Sequence, residues 1–137
     1  MAAMQKYVRV GRVDVEPTLA LLRDAFTNRQ VRSLVGGHEV NTKSMRLKTF
    51  AYKGTTCVCC GMKASFFALE RGATVPENSR PHLNLWGVTA EGEEILFTQD
   101  HIQPLAKRGQ DTLANSQTMC GPCNWAKKDT YEPPAAQ

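Results

Sequence analysis

At 137 residues, 42% of them hydrophobic, the chain suits one domain of ordinary size, or a small domain with an N-terminal extension, and is too apolar for wholesale disorder. No apolar run approaches the roughly 18–20 residues of a membrane span, and the opening MAAMQKYVRV lacks the apolar stretch of an export signal, so a reducing, cytoplasmic setting is expected. The net charge of +4 is uneven: residues 1–50 hold nine Lys and Arg against four Asp and Glu, a balance of +5, and residues 51–137 hold eight against nine, a balance of −1. That is a mild footprint for nucleic acid, and many proteins without such a partner carry as much.

Residues 5–15 alternate loosely through Tyr7, Val8, Val10, Val13 and Val15, the pattern of a short strand. Residues 17–35 read as an amphipathic helix. Glu16-Pro17 suits its start, Leu19, Leu22 and Phe26 follow a 3–4 spacing, and Gly36-Gly37 offers a stop. Arg23, Arg29 and Arg32 fall toward its other side, where they either keep a surface helix soluble or track a phosphate backbone. Residues 38–56, with Lys43, Arg46, Lys48 and Lys53, read as a basic connection. HLNLWGV (82–88) and EILFTQ (94–99) read as two strands joined by the turn TAEGEE (89–94), a hairpin that delivers Asp100-His101 at its end. TLANSQTM (112–119) reads as extended, a helix is expected from about Pro122 through CNWAKKD, and the tail YEPPAAQ reads as frayed. Trp86 and Trp125 read as core packing or as a face against nucleic acid, with the core favoured because apolar content here is thin, and His38 and His82 read as structural or surface residues.

Four of the five cysteines form two pairs, Cys57-x-x-Cys60 and Cys120-x-x-Cys123. In a reducing compartment such pairs point to metal rather than to disulfides. A C-x-x-C turn curls the backbone round one ion and presents two sulfurs, and Gly61 suits the tight turn after Cys60. Two such turns complete a tetrahedral Zn²⁺ site with no open position, which makes the expected zinc structural. Cys59, inside the first pair, is expected to be free or buried. Residues 61–119 are long for a zinc ribbon and must carry an inserted element.

An order of residues runs through the second half: Asp100-His101-Ile102-x-Pro104, Gly109, Asn115-x-Gln117, Cys120-x-x-Cys123-Asn124 and Lys127. This resembles the HNH nuclease family, in its zinc-bearing four-cysteine branch, and HLNLWGV…LFTQDHI is similar to small HNH proteins encoded by phages. The resemblance covers residues 57–61 and about 83–129. It implies an α+β fold with a small zinc-stabilised ββα-metal domain over 54–131. Outside the resemblance, residues 1–53 read from their own pattern as a basic N-terminal extension with an amphipathic helix, and residues 132–137 as a disordered tail. The resemblance also implies a metal-dependent endonuclease that hydrolyses DNA phosphodiester bonds by nicking or double-strand cutting, in a bacterial or phage-infected cell. His101 would be the general base. Asp100 and Asn124 would hold a divalent ion. Asn115 would pin the loop and orient His101. Lys107, Arg108, Lys127 and Lys128 would meet the nucleic acid. An amide and one carboxylate suit Mg²⁺ or Mn²⁺ better than the softer Zn²⁺ or Ni²⁺. The alternative is an inactive zinc-stabilised module that binds nucleic acid or protein, and RNA stays open as a substrate, because the site reads a phosphate rather than a sugar.

Overall fold

A computed structural model describes residues 7–131; the tail expected at 132–137 lies outside the described residues. The order of elements is β1 (Tyr7–Val13), α1 (Val15–Thr27), β2 (Arg32–Val35), β3 (His38–Asn41), α2 (Met45–Lys53), β4 (Phe66–Gly72), β5 (His82–Val88), β6 (Glu94–His101), a single 3-10 turn (Leu105–Lys107), β7 (Ser116–Cys120) and α3 (Gly121–Lys127). β1, β4, β5, β6 and β7 form one antiparallel sheet in that order, and β2 and β3 form a separate hairpin. The α+β class expected from the sequence is the one that forms, and β6, β7 and α3 make its ββα unit.

Strand alternation sorts the sheet into two faces. Phe67, Leu69, Leu83, Leu85 and Phe97 are buried on one face, against Leu19 and Leu22 of α1 and Leu47 and Phe50 of α2. Each side chain of this size contributes about 1.5–3 kcal/mol on full burial. The alternate positions form the opposite face, where Glu70, Asn84, Thr98 and Asp100 stand among Phe66, Ala68, Trp86 and Leu96. Residues 7–53, expected as an extension, share this core with the rest of the chain, and β1 is the edge strand beside β4.

Two sequence expectations are corrected here. The helix expected over 17–35 ends at Thr27, where Asn28 donates its backbone N–H to the Asp24 carbonyl and Arg29 takes φ 56°. Gly36-Gly37 is not its stop. With φ 55° and 82° the pair forms the tight turn between β2 and β3, a geometry that two-residue hairpins favour. The basic connection expected over 38–56 instead holds β3 and α2. Ser44 caps α2 by accepting from the Leu47 N–H, and Leu47, Phe50 and Ala51 form a buried stripe at helical spacing behind the exposed charges.

Candidate active site and metal centre

The knuckle after α2 is drawn to the end of β7 by two hydrogen bonds. Val58 donates its N–H to the Thr118 carbonyl, and the Thr118 hydroxyl bonds the Gly54 carbonyl. Cys57 and Cys60 thereby face Cys120, at the end of β7, and Cys123, in the first turn of α3. All four sulfurs lie within 4.8 Å of one another, with 3.8 Å between Cys60 and Cys120. A tetrahedral Zn²⁺ with bonds of about 2.3 Å needs sulfurs about 3.8 Å apart, so the four thiols can hold zinc. Cys59 stands outside the cluster, free and exposed.

The acidities fit the same purpose. Burial raises the Cys57 thiol, but the backbone N–H groups of Cys60, Cys120 and Cys59 outweigh it and bring it down to about 6. Cys123 is pushed well up, first by the neighbouring Cys120 sulfur and then by burial, and Cys120 is raised by burial. One thiolate forms readily and its crowded neighbours resist joining it, a repulsion that a divalent cation reverses.

On the polar face of β6, Thr98 donates its hydroxyl proton to the Met119 carbonyl at 2.8 Å. Its oxygen can therefore only accept from Asn124, whose Nδ2 lies 2.8 Å away. The bond sets the orientation of the amide and leaves Asn124 Oδ1 available as an oxygen ligand. Asp100, two residues along the same face, is 5% exposed. Its carboxylate accepts from Gln117 at 2.8 Å and from Lys127, whose Nζ stands 2.9 Å from Oδ2 and 3.2 Å from Oδ1. Lys127 also bonds the His101 carbonyl at 2.9 Å. Expected to face a phosphate, Lys127 instead moors the aspartate.

His101 alternates to the other side of the strand, where its Nε2 lies 2.8 Å from Asp111 Oδ1. The His101 contact, followed by a bond from Gln99, holds the Asp111 carboxyl below its usual range. An ionised carboxylate only accepts, so the Asp111 contact requires a proton on Nε2, and a neutral ring in this arrangement carries its lone pair on Nδ1. The Asn115 side chain makes no hydrogen bond to His101. It bonds the Gln103 N–H at 2.9 Å, the Gln103 carbonyl at 3.0 Å and the Gln110 carbonyl at 2.8 Å. Asn115 is thus the pin of the loop that carries Asp111. Gly109 closes that loop so tightly that a Cβ there would stand 1.7 Å from the Gln103 carbonyl oxygen.

Asp100, His101 and Asn124 line one open cleft of about 230 Å³, together with Leu105, Lys128 and Asp129. Lys107 and Arg108 lie exposed on the turn that follows. Trp86 donates to Glu70 at 2.8 Å. Trp125, expected in the core, is 74% exposed on α3 with the Lys128 ammonium 5.0 Å from its ring centre. Thr98, Gln99 and Asp111 were missed from the sequence. Thr98 and Gln99 read there only as strand residues, and a lone aspartate in a turn carries no signal of the histidine it will meet.

The ββα unit thus carries four clustered thiols, and Asp100, His101 and Asn124 line one cleft beside them. Residues 90–130 match the family model described as HNH endonuclease, which bears out over that segment the resemblance seen in the residues. Cys57 and Cys60 reach the same unit from outside the matched segment. No curated protein and no solved structure matches the chain. Among the described residues no helix is long and apolar enough to cross a membrane.

Proposed function

We propose that the protein is a metal-dependent endonuclease that hydrolyses DNA phosphodiester bonds to 5′-phosphate and 3′-hydroxyl ends. The observation that carries this reading is the one cleft that Asp100, His101 and Asn124 all line, with His101 Nε2 2.8 Å from Asp111. His101 Nδ1 takes a proton from the attacking water, and Asp111 stabilises the imidazolium that results. Asp100 and the Asn124 Oδ1 would hold Mg²⁺ or Mn²⁺, which supplies charge neutralisation at the phosphate and at the departing oxygen. Lys127 and Gln117 leave lone pairs on Asp100 unused, and the Lys127 charge keeps affinity for a second cation low until a phosphate joins it. Lys107, Arg108 and Lys128 supply backbone attraction without sequence readout. In this reading residues 54–131 form the catalytic unit, and residues 7–53 brace it through the shared core.

One observation favours a second reading. The Lys127 ammonium already neutralises Asp100, as it would in a non-catalytic zinc module that only binds nucleic acid or protein. Relaxation of supercoiled plasmid separates the two. Nicking in Mg²⁺ or Mn²⁺ that stops with chelator is the expected result, and no nicking in either ion supports the binding module. A single-stranded RNA run in parallel decides whether the sugar matters.

The hydrogen bond at Thr98 makes its own prediction. Thr98→Val keeps shape but frees the Asn124 amide, so nicking falls about 10- to 100-fold, as for other residues that orient a metal ligand. Thr98→Ser restores most of it. A valine variant as active as wild type would show that Asn124 needs no such fixing.

A further inference from the structure

β5 and β6 pair only where Trp86–Val88 meet Glu94–Leu96. Beyond that point β6 pairs with β7 over Phe97–His101, and β5 pairs with β4 over His82–Trp86. The two neighbours therefore diverge and the sheet splits between them. A groove of about 580 Å³ occupies the split, lined by residues that include Arg46, Glu70, Asn84 and Thr98. It shares Gln99 and Asn124 with the cleft, so the two spaces adjoin.

Arg46 reaches this groove from α2, on the opposite layer. Its Nη2 donates to the Leu83 carbonyl at 2.9 Å. Among the described residues Arg46 has no carboxylate within ion-pair distance, and burial lowers its pKa by more than the nearby Tyr7 raises it. The acid lining the groove, Glu70, does not serve it: one oxygen accepts from Arg9 at 2.9 Å and the other from Asn84 at 2.9 Å and Trp86 at 2.8 Å. A guanidinium has five N–H donors in a fixed fork, and one of those on Arg46 has a protein acceptor. What remains is a cationic fork, short of partners, in a groove that leads to the cleft.

We propose that this groove seats the nucleic-acid backbone beside the scissile bond, with Arg46 clamping a phosphate one or a few nucleotides from the one cut. The inference rests on the nuclease reading for the word scissile, while the binding it describes is measured without cutting. A phosphate suits the fork bidentately, and the open form of the groove suits a strand passing through rather than a small molecule enclosed.

The test uses full-length His101→Ala protein, loaded with zinc, and fluorescence anisotropy of labelled duplexes of two unrelated sequences across a salt series. Adding Arg46→Gln is expected to weaken both duplexes about equally, by roughly tenfold, and to reduce the slope of log K against log salt by about 0.9, one phosphate contact. Arg46→Lys retains most of the slope. Equal affinity and slope in a folded Arg46→Gln protein overturns the proposal, as does a loss confined to one sequence, which would mean base readout. Should Arg46→Gln not fold, the Nε–H resonance of Arg46 in the His101→Ala protein decides: it shifts when duplex is added if the proposal holds, and stays put if it does not. Wild-type nicking reports separately on the nuclease reading. Nicking with an indifferent Arg46 sinks only the groove, and Arg46-dependent binding without nicking sinks only the enzyme.

Discussion

His101→Ala is expected to lower plasmid nicking by about 10²–10⁴-fold, the range a positioned general base contributes, and to leave melting temperature and zinc content unchanged. The size of the effect follows from the geometry. His101 is half-buried at the end of β6, with its Nε2 2.8 Å from Asp111, so under the proposed mechanism removing the ring takes the general base from the cleft and leaves its other lining residues in place. Stability is spared because the ring's one side-chain bond runs to an exposed aspartate rather than into the core. Asp111→Asn should cost less, since it removes an orienting charge and not the base. A His101→Ala protein that nicks at the wild-type rate would assign the chemistry elsewhere.

Loss of the thiolate cluster carries the other large effect. One zinc per chain is expected in the purified protein, and stripping it with a strong chelator, or Cys120→Ala, should lower the melting temperature by about 10 °C or more. Structural zinc in small modules is worth about 10–16 kcal/mol, as much as the whole stability of many domains. The cost spreads here because Cys57 and Cys120 belong to the hydrophobic core, and because the knuckle ties α2 to β7 through Thr118. Nicking should disappear with it, since Cys120 caps α3, which carries Asn124. Cys59→Ser, an exposed change outside the cluster, should match wild type. Unaltered melting after complete chelation would contradict a metal role for the four thiols.

The ββα unit was legible because its signals are local. The apolar run into Asp100, the turn at Gly92, and Pro122 just after Cys120 each mark an element end within a few residues, and β6, β7 and α3 formed close to where they were expected. Paired C-x-x-C spacing is similarly local, and the four sulfurs came together. What was hidden depends on partners far along the chain. Gly36-Gly37 could stop a helix or turn a hairpin, and only Val35 and Val40 finding the core decides between them. Lys127 looked like a free charge until the strand pairing put Asp100 beneath it. Arg46 sits among residues that read in the sequence only as a basic connection, yet the divergence of β5 from β6 gives it a groove. Trp125 has the composition of a core residue and the position of a surface one, because α3 uses its other side, with Asn124 and Lys127, to meet β6.

The most direct measurement is the position of Mn²⁺, located by its anomalous scattering in crystals of the His101→Ala protein with a bound duplex. One peak within bonding distance of both an Asp100 oxygen and Asn124 Oδ1, touching a phosphate, is the expected result. A duplex lying across the cleft with manganese elsewhere, or with the Lys127 ammonium still alone on Asp100, would contradict the account.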